Sequence, residues 1–174
     1  MSLKGKKVFV FAEDFYEDLE LWYPYYRLKE EGADVMIIGN GAKESHKSKH
    51  GYEAKYDFAA QKTSGKDCDA VIIPGGFSPD MMRRIPDYIR ITKEAYSNGA
   101  VVAAICHGGW IPASAEIVEG KKVTSFYAIK DDLVHAGAEW VDEEVVVDSR
   151  IVTSRKPSDL PAFCKAIIST MQES

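Results

Sequence analysis

Short, uncharged apolar runs recur along the chain. Each gives way to a polar or glycine-rich break, and most are followed by apolar residues at helical spacing. Lys6-Lys7-Val8-Phe9-Val10-Phe11-Ala12, Asp34-Val35-Met36-Ile37-Ile38-Gly39, Asp69-Ala70-Val71-Ile72-Ile73-Pro74-Gly75-Gly76 and Val101-Val102-Ala103-Ala104-Ile105 read as strands covered on both faces, as in a parallel sheet. Between the first two the spacing predicts a helix from about Glu17 to Glu31, with Leu19, Trp22, Tyr23, Tyr26 and Leu28 turned inward and Gly32 as its stop. Pro24 is expected to bend or break that helix near Trp22. Further helices are predicted over Pro86 to Asn98, after the Cys106 strand as far as Gly120, over Ile129 to Ala136, and over Ser158 to Met171 with Ser158 as cap. Val123 to Phe126 reads as a strand, and Glu144 to Thr153 as a hairpin around Asp148-Ser149-Arg150. Asn40 to Ser64 is the least regular part, a charged and solvated loop with a short strand near Tyr52 to Tyr56, and Phe77 to Asp80 reads as a loop. The alternation predicts an α/β domain over residues 1–174 with a mostly parallel sheet.

Composition narrows the function classes. A length of 174 residues suits one domain with a three-layer core, and a net charge of −5 argues against a general nucleic-acid binder. No apolar run approaches the ~20 residues that cross a bilayer, and no signal segment is expected. Cys68, Cys106 and Cys164 are odd in number and far apart, which is neither a disulfide framework nor zinc spacing and fits a reducing cytoplasm. His46 and His50 lack companions at ligand spacing, so no metal is expected.

The candidate chemistry lies at Ile105-Cys106-His107-Gly108-Gly109. A cysteine at the carboxyl end of a central strand, before a glycine turn and a predicted helix start, meets unpaired N–H groups that favour thiolate and can hold an oxyanion. The alternative is a buried, inert cysteine. His107 is the nearest base, or else a solvated residue of a first helical turn. In parallel sheets, sites form where loops leave the carboxyl ends of strands. That brings Glu13 to Glu17, Gly75 to Asp80, and Cys106 to Gly109 together. Glu17 is the favoured carboxylate there, in competition with Glu13, Asp14, Asp18 and Glu20, and could equally be an ordinary helix-start acid. Gly75 and Gly76 look like an oxyanion loop or a plain turn.

Several segments in this order carry a resemblance: Glu17-Asp18-Leu19-Glu20 before Tyr23-Pro24, His50-Gly51-Tyr52, Ile73-Pro74-Gly75-Gly76, Ala104-Ile105-Cys106-His107-Gly108, Lys130-Asp131-Asp132-Leu133, Ala136-Gly137-Ala138-Glu139-Trp140 and Val152-Thr153-Ser154-Arg155. The chain resembles the DJ-1/PfpI superfamily, in particular its PfpI-like branch of intracellular cysteine peptidases. The resemblance implies a flavodoxin-like three-layer sandwich, related to class I glutamine amidotransferases, with a strained nucleophile elbow at Cys106. It further implies Cys106 as nucleophile, His107 as its partner, Glu17 as the acid touching the sulfur, and backbone N–H groups of Gly76 and His107 as oxyanion hole. Asp80 stands where relatives often place a glutamate that reaches a neighbouring subunit, and is one methylene shorter. Relatives read Cys-His-Gly-Pro, whereas this chain has Gly109-Trp110 and then Pro112, so its helix is expected to start late or kink. Trp110 is either core or a pocket wall.

The implied function is a cysteine-dependent enzyme without metal or organic cofactor, either a peptidase or amide hydrolase, or a glyoxalase or deglycase acting on reactive aldehydes. The alternative is a non-enzymatic redox sensor or chaperone-like stress protein. Homodimers or larger rings such as hexamers are expected, with a small aldehyde or peptide as substrate and no nucleic-acid or membrane partner.

Overall fold

The computed structural model describes residues 2–173. Its strands are β1 (Lys7–Phe11), β2 (Asp34–Gly39), β3 (Ser45–Lys47), β4 (Glu53–Lys55), β5 (Phe58–Ala59), β6 (Ala70–Ile73), β7 (Val101–Ile105), β8 (Lys122–Val123), β9 (Glu139–Trp140), β10 (Val145–Asp148) and β11 (Ile151–Ser154). Its α-helices are α1 (Asp18–Glu30), α2 (Ser78–Arg83), α3 (Pro86–Ser97), α4 (Trp110–Ser114), α5 (Lys130–His135) and α6 (Leu160–Gln172). One seven-stranded sheet runs β10-β11-β7-β6-β1-β2-β5. Every pairing in it is parallel except β10 with β11, the expected hairpin.

Alternation along the buried strands builds a core on each face, since neighbouring residues of a strand point to opposite sides. Val8, Val10, Ile72, Ala103 and Ile105 pack under α1 and α6, against Leu21, Leu28, Phe163 and Ile167. Phe9, Phe11, Val71, Ile73 and Ala104 pack under α2 to α5, against Met82, Tyr88, Ile91, Ile111 and Leu133. This is the flavodoxin-like arrangement of helices on both sides of a parallel sheet. Strands β1, β6 and β7 lie side by side, so the segments leaving their carboxyl ends emerge together.

Several expectations need correcting. Helix α1 turns its other face to the core: Glu20, Leu21, Pro24 and Leu28 are buried, whereas Leu19, Tyr23 and Tyr26 are exposed. The aromatic residues instead pack on one another, with Trp22 stacked on Tyr26 and edge-on to Tyr25 and Tyr52. Pro24 does not break the helix, which runs through it and forgoes only the bond Pro24 cannot donate to the Glu20 carbonyl. The irregular region contains two strands beyond the one expected, because Ser45–Lys47 pairs antiparallel with Glu53–Lys55 and Phe58–Ala59 pairs parallel with β2. Phe77 to Asp80 is not all loop, since α2 begins at Ser78 with Pro79 in its first turn. The strand expected from Val123 to Phe126 is only the two residues of β8. Ser158 does not cap the last helix; a 3₁₀ turn over Pro157–Asp159 leads into α6.

The fully buried Tyr88 hydroxyl donates to the Ala12 carbonyl at 2.7 Å, just beyond β1, and its ring meets Phe11 edge-on at 4.9 Å. Tyr88→Phe leaves that carbonyl buried without its donor and should cost ~1–2 kcal/mol. In urea unfolding this predicts a lower midpoint at unchanged slope; an unchanged midpoint would show that the bond contributes nothing.

Candidate active site

Strand β7 ends at Ile105 in extended conformation, and the chain then reverses at Cys106 with φ +61°. That left-handed value is uncommon outside glycine and turns the cysteine side chain out of the sheet's alternation. A 3₁₀ turn over Cys106–Gly109 follows, and α4 begins only at Trp110. The late start accommodates Pro112, which lies in the first turn of α4, where N–H groups lack intrahelical acceptors anyway. The turn packs closely beneath, because a Cβ at Gly108 would fall 2.4 Å from the Ile73 carbonyl. Cys106 is 9% exposed.

The carboxyl that interacts with the thiol belongs to Glu20. Glu17, expected in that role, is the N-cap of α1, and its Oε2 accepts the Glu20 backbone N–H at 3.0 Å. The difference is helical geometry. Glu20 shares a face with Pro24 and Leu28, the face turned to the core, while Glu17 sits at the helix mouth. Spacing of i, i+4 and i+8 was the sequence signal for Glu20. Glu20 Oε2 accepts the Gly75 N–H at 2.7 Å, and Oε1 is buried with no hydrogen-bond partner among the described residues. Burial first, and the nearby Glu17 charge after the Gly75 N–H has offset part of it, push the Glu20 carboxyl up to about 7.

Gly75 is a correction to the oxyanion hole, since its N–H is committed to Glu20. The N–H groups of Gly76 and His107 face the sulfur and favour its ionised form. Glycine is required on both sides of this contact. A Cβ at Gly75 would lie 2.6 Å from Glu20 Oε2 and 2.7 Å from Cys106 Cβ. Gly76 has φ +71°, and a Cβ there would meet the Phe15 carbonyl at 2.4 Å. The helix-start environment expected to lower the thiol is outweighed: burial, then the Glu20 charge, push Cys106 up to about 12.

His107 Nδ1 lies 3.3 Å from Cys106 Sγ. Its ring stacks on Phe126 at 5.0 Å and meets the edge of Trp110 at 5.4 Å. Burial, assisted by the positive charge of Lys49, lowers the His107 pKa and keeps the imidazole neutral at physiological pH. Trp110 is both wall and partial core: it packs against Ile111's cluster and donates its indole N–H to Asp132 at 2.7 Å. Asp80, expected as a third acid, lies on α2 and pairs with Arg84 at 2.5 Å within this chain.

The expected loops do converge. Glu17 N–H donates to the Gly75 carbonyl, and Phe77 N–H to the Phe15 carbonyl. Two contributors were not visible in the sequence. Phe126 N–H donates to the Cys106 carbonyl, and the strap Ser48–Tyr52 crosses the mouth of α1 with Lys49 N–H on the Tyr16 carbonyl.

Among the described residues Glu13, Asp14 and His46 bring ligand atoms within 4.8 Å of one another. His46 Nε2 accepts the Asn40 N–H at 3.2 Å, which leaves the proton on Nδ1, facing Glu13 at 3.0 Å. A protonated Nδ1 has no lone pair for a metal, and Lys43 already pairs with Asp14. Burial opposes ionisation of Glu13, but its bonds from His46 and the Asp14 N–H outweigh it and hold the carboxyl below its usual range. The cluster fits a closed polar network better than a metal site. His50 is engaged elsewhere, on Asp18 at 2.7 Å.

Flavodoxin-like α/β proteins that turn a cysteine out of a central strand onto such a bend form one class, and this chain has that construction. It belongs to the DJ-1/PfpI family, which it matches over residues 6–170. It is 42% identical over 167 residues to a protein of Pyrococcus horikoshii named Deglycase PH1704, covering 96% of this chain and 99% of that one. It is 40% identical over 159 residues to a Bacillus subtilis protein, YraA, named as a candidate cysteine protease, covering 91% and 94%. A crystal structure from Anabaena variabilis, of a two-domain protein with DJ-1/ThiJ/PfpI-like and ferritin-like domains, superposes with TM-score 0.92 at 40% identity. That match covers 94% of this chain and 47% of the other, so this chain spans about half of it. Among the described residues no helix is long and apolar enough to cross a membrane.

The raised Glu20 pKa has a consequence for folding. A carboxyl titrating near 7 in the fold, against an ordinary value of 4.5, adds stability below 4.5 that is lost as pH rises through 7. Glu20→Gln should therefore gain on the wild type between pH 4.5 and 8, by up to ~3 kcal/mol. Chemical denaturation at both ends of that window tests it, and a difference independent of pH would contradict it.

Proposed function

We propose that the chain is a cofactor-independent cysteine enzyme of the deglycase and glyoxalase type, acting on small reactive 2-oxoaldehydes and their adducts. The observation that carries this reading is the buried Glu20 carboxyl beside Cys106, with its otherwise unpartnered Oε1. As an acceptor, that oxygen has no donor to meet except the Cys106 thiol. As a protonated O–H it has a purpose, donating to an ionised sulfur, so the pair holds one proton and one negative charge. Such a pair supplies a nucleophile and an acid together.

The sulfur adds to the aldehyde carbon, forming the C–S bond while the carbonyl π electrons move to oxygen. The N–H groups of Gly76 and His107 stabilise that oxyanion, and the Glu20 proton completes the hemithioacetal. Neutral His107 takes the proton from the former aldehyde carbon and returns it to the adjacent carbon, while Glu20 takes back the hydroxyl proton of the first oxygen and passes it to the second, which yields a 2-hydroxy thioester. Water cleaves the thioester to a 2-hydroxy acid and frees the thiol, so the sum is addition of one water with no net redox change. A cysteine only 9% exposed favours a compact carbonyl over an extended peptide. The name of the Pyrococcus horikoshii relative supports the same reading.

Peptide hydrolysis is the second reading, supported by the name of the Bacillus subtilis relative. It would draw its third acid from Asp80 of a second copy, and hence from a homo-oligomer. Three free cysteines suit a reducing cytoplasm.

Methylglyoxal consumption and fluorogenic peptide cleavage, each followed with wild type, Cys106→Ser and Glu20→Gln, separate these readings. Expected is aldehyde turnover abolished by Cys106→Ser and reduced about tenfold or more by Glu20→Gln, which leaves no acidic proton to donate. Peptide cleavage alone would establish the second reading. Aldehyde turnover that survives Cys106→Ser would overturn the thiol mechanism.

A further inference from the structure

The site gathers acids. Glu17 and Glu20 lie one helical turn apart at the start of α1, and the thiol lies against the second of them. Two negative charges, Glu17 and the one shared by Cys106 and Glu20, would oppose each other in a poorly solvated corner. Lys49 is the cation that faces them. Its Nζ lies 3.9 Å from Glu17 Oε1 and makes no hydrogen bond within the described chain. Its charge reaches both sides of the thiol, favouring the ionised form of Glu20 and the neutral form of His107.

The position of Lys49 is built rather than incidental. Asp18, in the first turn of α1, accepts the Ser48 hydroxyl at 2.7 Å and holds the His50 ring at 2.7 Å, on either side of Lys49. Lys49 N–H is tied to the Tyr16 carbonyl at 3.0 Å, and Gly51 N–H closes the turn onto the Ser48 carbonyl. The strap is thus clamped to the same helix end that carries Glu17 and Glu20. Burial opposes ionisation of the Asp18 carboxyl, but its hydrogen bonds from Ser48 and His50 outweigh it and hold the group below its usual range, so it stays paired with its strap partners.

We propose that Lys49 is an electrostatic positioning residue of this site: held over the start of α1 by the strap, it offsets Glu17 so that the Cys106–Glu20 pair can keep its single negative charge at neutral pH. This rests on the thiol mechanism proposed above. The groups that set the balance are Glu17 and Glu20 on α1, Cys106 and His107 at the elbow, and Lys49 on the strap, with Asp18 and His50 paired beside it. Removing the cation raises the pH at which the pair first ionises, and removing Glu17 lowers it.

The test is the pH profile of Cys106 alkylation by iodoacetamide, read by mass spectrometry at low ionic strength, for wild type, Lys49→Met, Lys49→Arg and Glu17→Gln. Lys49→Met is expected to slow alkylation at pH 6 by about three- to tenfold and displace the profile upward. Lys49→Arg should restore it, and Glu17→Gln should displace it downward. A structural role for Lys49 alone would not give opposite displacements for the two partners. Superimposable profiles for wild type and Lys49→Met, with both proteins folded by circular dichroism, would overturn the proposal. Wild-type Cys106 alkylated no faster than Cys68 or Cys164 would instead overturn the thiol mechanism, so the two failures are distinct.

Discussion

A carboxyl group with no solvent exposure, bonded to one backbone N–H and set against a thiol, is costly to bury in its charged form. Glu20 is such a group, and the surrounding structure can be understood as the set of conditions that let it exist. Gly75 must lack a side chain so that its N–H can reach Oε2. Helix α1 must give an inward position to an acid, and it does so by sending Leu19, Tyr23 and Tyr26 outward. Cys106 must leave its strand on a left-handed bend, since continued alternation after Ile105 would aim its side chain to the α2–α5 face of the sheet, away from Glu20 on α1. The proposed sharing of a proton between Glu20 and the sulfur rests on the same burial that makes either charge expensive alone.

The parallel order of the sheet makes this possible at one end only. Strands β1, β6 and β7 are neighbours, so α1, the Pro74-Gly75-Gly76 turn and the Cys106 elbow leave from adjacent positions. Hydrogen bonds between the loops fix them against one another: Tyr16 bridges to Gly76, and Phe126 N–H closes onto the Cys106 carbonyl. Phe126 also stacks on His107, which restrains the ring 3.3 Å from the sulfur. His107 is therefore held by packing as well as by sequence adjacency.

The strands were legible because a sheet buried on both faces needs uninterrupted apolar runs, and those runs are plain in the sequence. The place of the site was legible for the same reason, as was Cys106 at a strand end before glycines. What periodicity missed was the choice between two candidate faces of α1. Leu19, Trp22, Tyr23 and Tyr26 make an apolar stripe more conspicuous than Glu20, Leu21, Pro24 and Leu28, and hydrophobic counting prefers the richer one. A helix that serves a polar site breaks this rule, because its inward face must carry the acid. Glu17 reads from the sequence as the acid because it opens the helix beside the site, whereas Glu20, on the inward face, is the acid that meets the thiol. The strap was illegible for a different reason: its charged residues look like a solvated loop, and only the Asp18 contacts, distant in sequence, show that it is fastened down.

The three cysteines show why burial alone does not identify a nucleophile. Burial pushes Cys68, Cys106 and Cys164 each to about 12. Cys68 has carboxylates near it, whose charge adds to the cost, and Cys164 lies on the core-facing side of α6. Only at Cys106 do two backbone donors face the sulfur while the adjacent carboxyl is itself raised to about 7. The second push on Cys106, from a charged Glu20, vanishes when Glu20 holds the proton. A thiol with a fixed environment has one protonation equilibrium to offer, whereas this one has a neighbour able to exchange the proton with it. In the proposed mechanism that exchange, rather than the thiol's own acidity, separates Cys106 from the other two.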